Sequence, residues 1–435
     1  MGNSNFSLNR RGFLKSAGVG LASAAIAPTR SRADEVVQLT MWSWNPNLQE
    51  SLDIFEQAYP NIKVNAVNAG QGLPQYMKMR TAKRAGSGLP DLCLCEFQMV
   101  PSMRQAGILL DIAPYGAGTF KQDYVDWSWR QVQDGNAIYG MPSDSGPIAL
   151  LYRQDLFDAH KLNPPATWDE FAEAAIKLRR DAPDIFLTDM QLNVGSWFLA
   201  LGWQAGSRPF EVSGTTVTIR VNDEPAKKVA AFWQKLIDAH AVDIAPGSTA
   251  EWYQSYDRGR YASWITAAWG PIFLSQFARS SAGKWRVAPI PQWKAGDKVS
   301  ANFGGSTAAV TTQTKHPHEA TQVAMFLTHD PRVIQERIDR HFAFPTLKNV
   351  LDSEAFQDRP FPFYGNQPIN RIFVESSREV DGSYQWSPFQ DYVNELLGND
   401  MSAAASGSMS LVASLDQVQR KLVAFAKAQG FTVKT

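Results

Sequence analysis

The stretch LTMWSWNPNLQESLDIFEQAYPNIKV, residues 39–64, decides the fold. It opens as a strand and continues as a helix with Leu48, Leu52, Phe55 and Tyr59 at helical spacing. Pro60 stops the helix, and IKVNAV then alternates as a second strand. A further helix, from about Pro74 to Arg84, leads through GSGLP into DLCLCEF, short and apolar enough for a buried parallel strand. This β-α-β-α-β order predicts a doubly wound α/β sheet with its functional site at the C-terminal ends of the strands. Trp42, Trp44, Gln71 and Glu96 fall at such ends. Two positions apart on a strand, Trp42 and Trp44 project from the same side.

Farther along, TWDE at Thr167–Glu170 forms a capping box, opening a helix with Phe171, Ala174, Ala175 and Leu178 on one face. A helix from about Pro225 to Ala239 turns Val229, Phe232, Trp233 and Leu236 inward, with Pro225 suited to its first turn. Another begins near Pro317. There is no repeat period and no low-complexity linker, so 435 residues, too many for one ordinary core, divide into interlaced rather than consecutive lobes.

The composition, 44% hydrophobic and 19% charged, is that of a globular chain. Formal charge is zero, but residues 1–33 hold five basic residues (Arg10, Arg11, Lys15, Arg30, Arg32) and no acid. The rest therefore carries 37 basic against 42 acidic residues, a net of −5. Nucleic-acid binding needs a concentrated basic surface, so no nucleic-acid partner is expected. The modest apolar run Ala17–Ala27 is too short to span a bilayer and is read as an export signal cut after Ala33. Arg10 and Arg11, followed by Phe13, Leu14 and Lys15, resemble a twin-arginine signal, which carries folded cargo. Cys93 and Cys95 are the only cysteines. Two apart on one strand they are poorly placed for a mutual disulfide and are read as small buried hydrophobes. With no cysteine at the end of the signal, the expectation is a soluble, exported protein without a lipid anchor.

Catalytic signatures are missing: there is no G-x-S-x-G, Walker A loop, G-x-G-x-x-G or H-E-x-x-H. His316 and His318 flank Pro317 with no cysteine or carboxylate cluster nearby, the pattern of a solvated pair rather than a metal site. No metal or cofactor is expected. Paired carboxylates for glycoside hydrolysis converge only in space, and no pair is picked out by spacing. Of the 14 tryptophans, Trp168 and Trp233 read as helix-packing residues. Trp44 (SWNP), Trp197 (VGSW), Trp269 (AAWGP) and Trp386 (SYQWSP) sit among Gly, Pro, Asn and Ser in predicted loops. Such rings either cover a core edge or lie against the C–H face of a pyranose.

Taken in order, these segments resemble the extracellular solute-binding proteins of sugar ABC importers, the group that includes maltose-binding protein. The resemblance runs from the opening stretch through GLPDLCLCEF, IYGMPSDSGPIALLYRQDLFDAHKLNPPATWDEFAEAA, DRGRYASWITAAWGP and NFGGSTAAVTTQTKHPHEATQVAMFL to FAFPTLKNVL. It implies a type II-like periplasmic-binding-protein fold, with two α/β lobes joined by a hinge around a central ligand cleft. The first lobe would hold residues 34–145 plus 305–368, and the second 146–304 plus 369–435. Carried over residue by residue, the ligand-binding set is Trp42, Trp44, Asn45, Gln71, Glu96, Gln98, Asp144, Trp197, Trp269, Gly305, Ser306 and Trp386. The family's "N-G-P-W" region here reads Ala267-Ala268-Trp269-Gly270-Pro271, which shifts the ring's alignment by a residue or two. The resemblance further implies a monomeric periplasmic or extracellular receptor, not an enzyme, that passes a sugar to membrane permease subunits. The alternatives are a secreted carbohydrate-active enzyme, or the same fold binding a polyol or a glycerol phosphodiester. In the latter, Arg340 or Arg371 would meet the anion, the plainer reading of either being a surface residue.

Overall fold

The structure, a computed structural model, describes residues 36–45, 47–191, 193–247, 249–341 and 343–435. The export-signal reading falls outside the described residues. Among the described residues no helix is long and apolar enough to cross a membrane.

The opening stretch folds as its periodicity dictates: β1 (Val37–Trp42), α1 (Leu48–Ala58), β2 (Ile62–Val67), α2 (Leu73–Ala85) and β3 (Leu92–Glu96). The short helix α3 (Val100–Gln105) follows, then β4 (Met141–Asp144) and β5 (Ile148–Arg153). Helices α4 (Trp168–Asp181), α5 (Gly195–Gln204), α6 (Glu224–Asp238) and α7 (Ala250–Arg258) precede β6 (Ser263–Ala267), α8 (Gly270–Phe277) and β7 (Trp285–Pro289). The chain then enters β8 (Ser306–Val310), α9 (Pro317–His329), α10 (Pro331–His341), α11 (Ile369–Arg378), α12 (Gln390–Ala405) and α13 (Leu411–Ala428).

Two sheets organise these elements. The first has the order β2-β1-β3-β8-β4, and the second the order β6-β5-β7. In the first, β1 is parallel to β2 and β3, whereas β8 runs antiparallel between β3 and β4. Thus β3 is parallel on one side only, because the strand filling its other flank returns from residue 306.

Alternation along these strands feeds two cores. Leu39, Met41, Val64 and Leu92 face Leu52 and Phe55 of α1 and Val323 and Leu327 of α9. On the opposite face Cys93 and Cys95 meet Tyr76 and Met79 of α2 and Val100 and Met103 of α3. Both cysteines are free and fully buried, and burial pushes the Cys93 thiol up to about 12. The second sheet carries a tryptophan-rich core with α4, α5, α6, α12 and α13, in which Trp168 and Trp233 are each 1% exposed. The capping box forms in modified shape: Thr167 Oγ1 accepts from the Glu170 N–H, while Glu170 Oε2 reaches back to the Ala166 N–H rather than that of Thr167.

The chain crosses between the sheets twice in adjacent, antiparallel passes. Phe303 N–H donates to the Gly146 carbonyl at 2.7 Å and Ile148 N–H to Ala301 at 3.1 Å. Between them the fully buried Asn302 accepts the Gly146 N–H at 2.8 Å and donates to the Gly304 carbonyl at 2.7 Å. These bonds satisfy backbone groups that neither sheet reaches.

Candidate functional site

Where the crossings leave the first sheet, strand register sets three polar side chains in a row. Ser306 is opposite Glu96 on one side and opposite Asp144 on the other. Asp144 Oδ1 accepts both the Ser306 N–H (2.7 Å) and its hydroxyl (2.8 Å), and Oδ2 lies 3.5 Å from Nη2 of Arg337 on α10. Glu96 accepts from the Tyr76 hydroxyl at 3.1 Å and from the Gln98 side-chain amide at 3.3 Å. Its own backbone N–H donates back to the Tyr76 oxygen at 2.9 Å. Burial, with a smaller contribution from the nearby Asp144 charge, raises the Glu96 carboxyl above the ordinary range, and burial beside Glu96 raises the Tyr76 phenol well above its own. The Gln98 carbonyl oxygen is buried without a hydrogen-bond partner.

Gly305, between the crossing and Ser306, has φ +79°, and a Cβ there would stand 2.9 Å from the Phe97 ring and from Ser145 Cα. The turn therefore needs both the conformation and the smallness of glycine. Asp144→Ala would leave the buried Ser306 hydroxyl and N–H without their acceptor. It is expected to cost about 2–3 kcal/mol in urea unfolding, and a wild-type midpoint would show that the pair contributes nothing.

The indoles of Trp42 and Trp44 pack, half-buried, on the side of the sheet that carries Tyr76 and the two cysteines. Trp44 lies beyond β1 and stands edge-on to Tyr76, with centroids 6.2 Å apart. The Asn45 N–H donates to the Ser43 hydroxyl at 3.1 Å, turning the chain toward α1, and Gln71 is exposed. Trp269 caps α8 and donates its indole N–H to the Phe303 carbonyl at 2.7 Å, resting against Gly304 of the return crossing. Trp44, Tyr76, Glu96, Gln98, Ser306 and Asp144 thus form one connected row, and Trp269 meets the crossing from the other sheet's side.

Two of the predicted tryptophans stand apart from this row. Trp197 is not in a loop but in the first turn of α5, 2% exposed, with its indole N–H on the Ile265 carbonyl and Trp233 5.1 Å away. Trp386 is 4% exposed in a cluster with Trp203 and Tyr384, beside a cavity of about 440 Å³ that none of the other predicted site residues lines. Arg340 and Arg371 pair with Glu50 and Asp358 at the surface, so neither is an uncommitted cation. Tyr76 and Arg337 escaped the sequence reading. For Tyr76 the available signal was its spacing to Met79 on the buried face of α2; for Arg337, which reaches Asp144 across 193 positions, no local signal exists.

A row of two carboxylates, an amide oxygen and a hydroxyl is rich in acceptors. It suits a neutral ligand that donates several hydroxyl protons, and it repels anions. Among the described residues no group of three His, Cys, Asp or Glu side chains is placed to hold a metal ion.

One buried carboxylate lies apart from the row. Asp189, 1% exposed, accepts from the Trp252 indole at 2.7 Å and from the Tyr256 hydroxyl, and among the described residues no cation pairs with it. Burial lifts its carboxyl to about 6, against the hydrogen bonds that lower it; Asp243 adds a smaller upward push. The native state therefore holds this proton more tightly than the unfolded chain. The group's contribution is greatest below about pH 4, is lost as pH rises toward 6, and is constant above that. Asp189→Asn is expected to remove on the order of 3 kcal/mol of pH dependence from unfolding measured between pH 4 and 7. An unchanged profile would contradict this.

The sequence pattern of the bacterial extracellular solute-binding proteins matches residues 42–331. The chain is 24% identical over 372 residues to the lactose-binding protein of Rhizobium radiobacter, covering 81% of this chain and 84% of that one. It is 24% identical over 303 residues to the arabinooligosaccharide-binding protein of Bacillus subtilis strain 168, covering 66% and 68%. The ABC transporter associated binding protein from B. animalis subsp. lactis Bl-04, solved with β-1,6-galactobiose, superposes with a TM-score of 0.83 at 30% identity, over 92% of this chain and all of that one. With the family pattern spanning about two thirds of its length and a neighbour of this likeness, the chain belongs to the bacterial extracellular solute-binding protein family.

Proposed function

We propose that the protein is an exported receptor that captures a sugar or short oligosaccharide between two lobes and hands it to the permease subunits of an ABC importer. The observation that carries this reading is the acceptor row Glu96–Ser306–Asp144 beside the half-buried Trp44, at the point where the chain crosses between sheets. Acceptors for hydroxyl protons next to an aromatic face are what a pyranose needs. The lobes divide at 145/146, 304/305 and 368/369, and the two paired passes at the first two boundaries serve as hinge strands. A ligand touching both sides favours the closed arrangement by its differential affinity.

The protein performs no chemistry on its ligand. In support, Asp144 Oδ1 is taken up by its two Ser306 bonds, so what Asp144 offers a ligand is an acceptor position on Oδ2 beside Arg337 rather than a free nucleophile. A neutral ligand is favoured over a glycerol phosphodiester because the row is acidic and Arg340 and Arg371 are already paired. It acts as a periplasmic or extracellular monomer exported through the twin-arginine route. Lactose, arabino-oligosaccharides and β-1,6-galactobiose, the sugars its relatives bind, define the first set to test.

The test is a tryptophan-fluorescence titration of the chain from Asp34 onward against these sugars, polyols and glycerol phosphodiesters, with ligand recovery checked. Saturable change with a Kd near micromolar, about −8 kcal/mol, and intact sugar is the expected result. Sugar consumed over time would replace the receptor with an enzyme, and binding confined to the phosphodiesters would replace the ligand class.

A further inference from the structure

We infer that Arg80, Ser102 and Asp391 form an ionic latch that holds the two lobes closed and so sets ligand affinity; this rests on the two-lobed receptor reading above. Arg80 and Ser102 stand on α2 and α3, both packed on the first sheet, whereas Asp391 is in the first turn of α12, which packs with α5 and α13. Arg80 Nη2 donates to the Ser102 hydroxyl oxygen at 2.7 Å and lies 2.9 Å from Asp391 Oδ2. The Ser102 hydroxyl in turn donates to Asp391 Oδ1 at 3.0 Å. The three groups close a ring. If α12 moves away from α3, the Arg80–Ser102 bond stays within the first lobe and both links to Asp391 are lost. The latch thus distinguishes the closed from the open arrangement, as a device that shifts their balance must.

The surroundings show why these polar links matter. Next to the ring, Val100, Pro101 and Arg104 of α3 and Tyr384, Gln385 and Trp386 of the segment before α12 line the cavity of about 440 Å³. The Tyr384 hydroxyl, the Trp386 indole N–H and the Arg80 Nε–H are buried without a hydrogen-bond partner. A seam flanked by a solvent-open cavity and carrying unpaired donors gains less from close packing, so its polar links carry more of the hold. Both ends of the ion pair remain about one-third exposed, at 31% and 27%, so its strength falls with salt.

The test compares the wild-type chain from Asp34 with Arg80→Gln, Asp391→Asn and the double exchange Arg80→Asp/Asp391→Arg. Small-angle X-ray scattering is recorded at low and high salt, with and without β-1,6-galactobiose. Each single variant is expected to show a larger radius of gyration than wild type at low salt. High salt should move wild type toward that value and leave the variants in place, and the exchange should restore the wild-type radius. Binding of β-1,6-galactobiose should weaken about three- to tenfold in the single variants and recover in the exchange. Ser102→Ala, which removes one link and no charge, replaces any variant whose thermal melt collapses. Equal radii for wild type and variants in every condition would overturn the latch. If this sugar fails to bind wild type, the scattering alone still decides the latch, and only the choice of ligand falls.

Discussion

Replacing Gly146 with alanine is expected to destabilise the protein by about 3 kcal/mol or more and to weaken ligand binding over tenfold. Gly146 lies where the outgoing crossing passes under the return crossing. A Cβ there would overlap the Phe303 carbonyl oxygen and stand 3.1 Å from Ala267 Cβ. That oxygen also accepts the Trp269 indole N–H, and the neighbouring Phe303 N–H donates to Gly146 itself. A single methyl therefore forces apart a backbone pair and threatens two further bonds. Neither neighbour is the flexible end of a long side chain, so relief requires the strands to separate. Binding suffers with stability because the same pair sets the register that places Ser306, three positions on from Phe303, opposite Asp144, two positions before Gly146. Gly118→Ala is the control: its methyl would meet only Ile138 Cδ1, at 3.7 Å, and is expected to be near neutral. Circular-dichroism melts and the sugar titration measure both effects, and a Gly146→Ala protein that melts and binds as wild type would refute the hinge register.

How much of this was legible beforehand depends on how local the signal is. The run from β1 to β3 could be read because Leu48, Leu52 and Phe55 repeat at helical spacing and Pro60 ends the helix within the same short window. The insertion of β8 between β3 and β4 could not, because its partners lie more than 160 positions away and nothing in Ser306–Val310 specifies a direction. Glu96, Asp144 and Ser306 were each selected, yet their adjacency is a matter of register, which only the assembled sheet fixes. The VGSW segment misled for a definite reason. Gly195 looked like a loop residue, but a Cβ there would stand 2.7 Å from the Asn394 carbonyl, so the glycine allows α5 to approach α12 closely. Smallness for packing and freedom for turning leave the same letter in a sequence.

That misreading leads to the second large expected effect, a divergence between two tryptophans that looked alike. Trp197→Ala should lower stability by about 3–5 kcal/mol, because it empties a site that is 2% exposed, removes a ring 5.1 Å from Trp233, and leaves the Ile265 carbonyl without its donor. Trp44→Ala removes a half-buried ring that stands edge-on to Tyr76, an interaction worth about 1 kcal/mol. On the receptor reading its open face meets the sugar, so affinity should fall tenfold or more while the melt moves little. Trp197→Ala protein that remains folded at low temperature should, by contrast, bind more nearly as wild type, since its ring sits in the core of the second sheet's side rather than on the acceptor row. Melts and titrations on the two variants separate the roles. A Trp44→Ala protein with normal affinity and a collapsed melt would assign Trp44 to the core as well, and the platform would then have to be sought among Trp42 and Trp269, the remaining half-buried indoles of the predicted set.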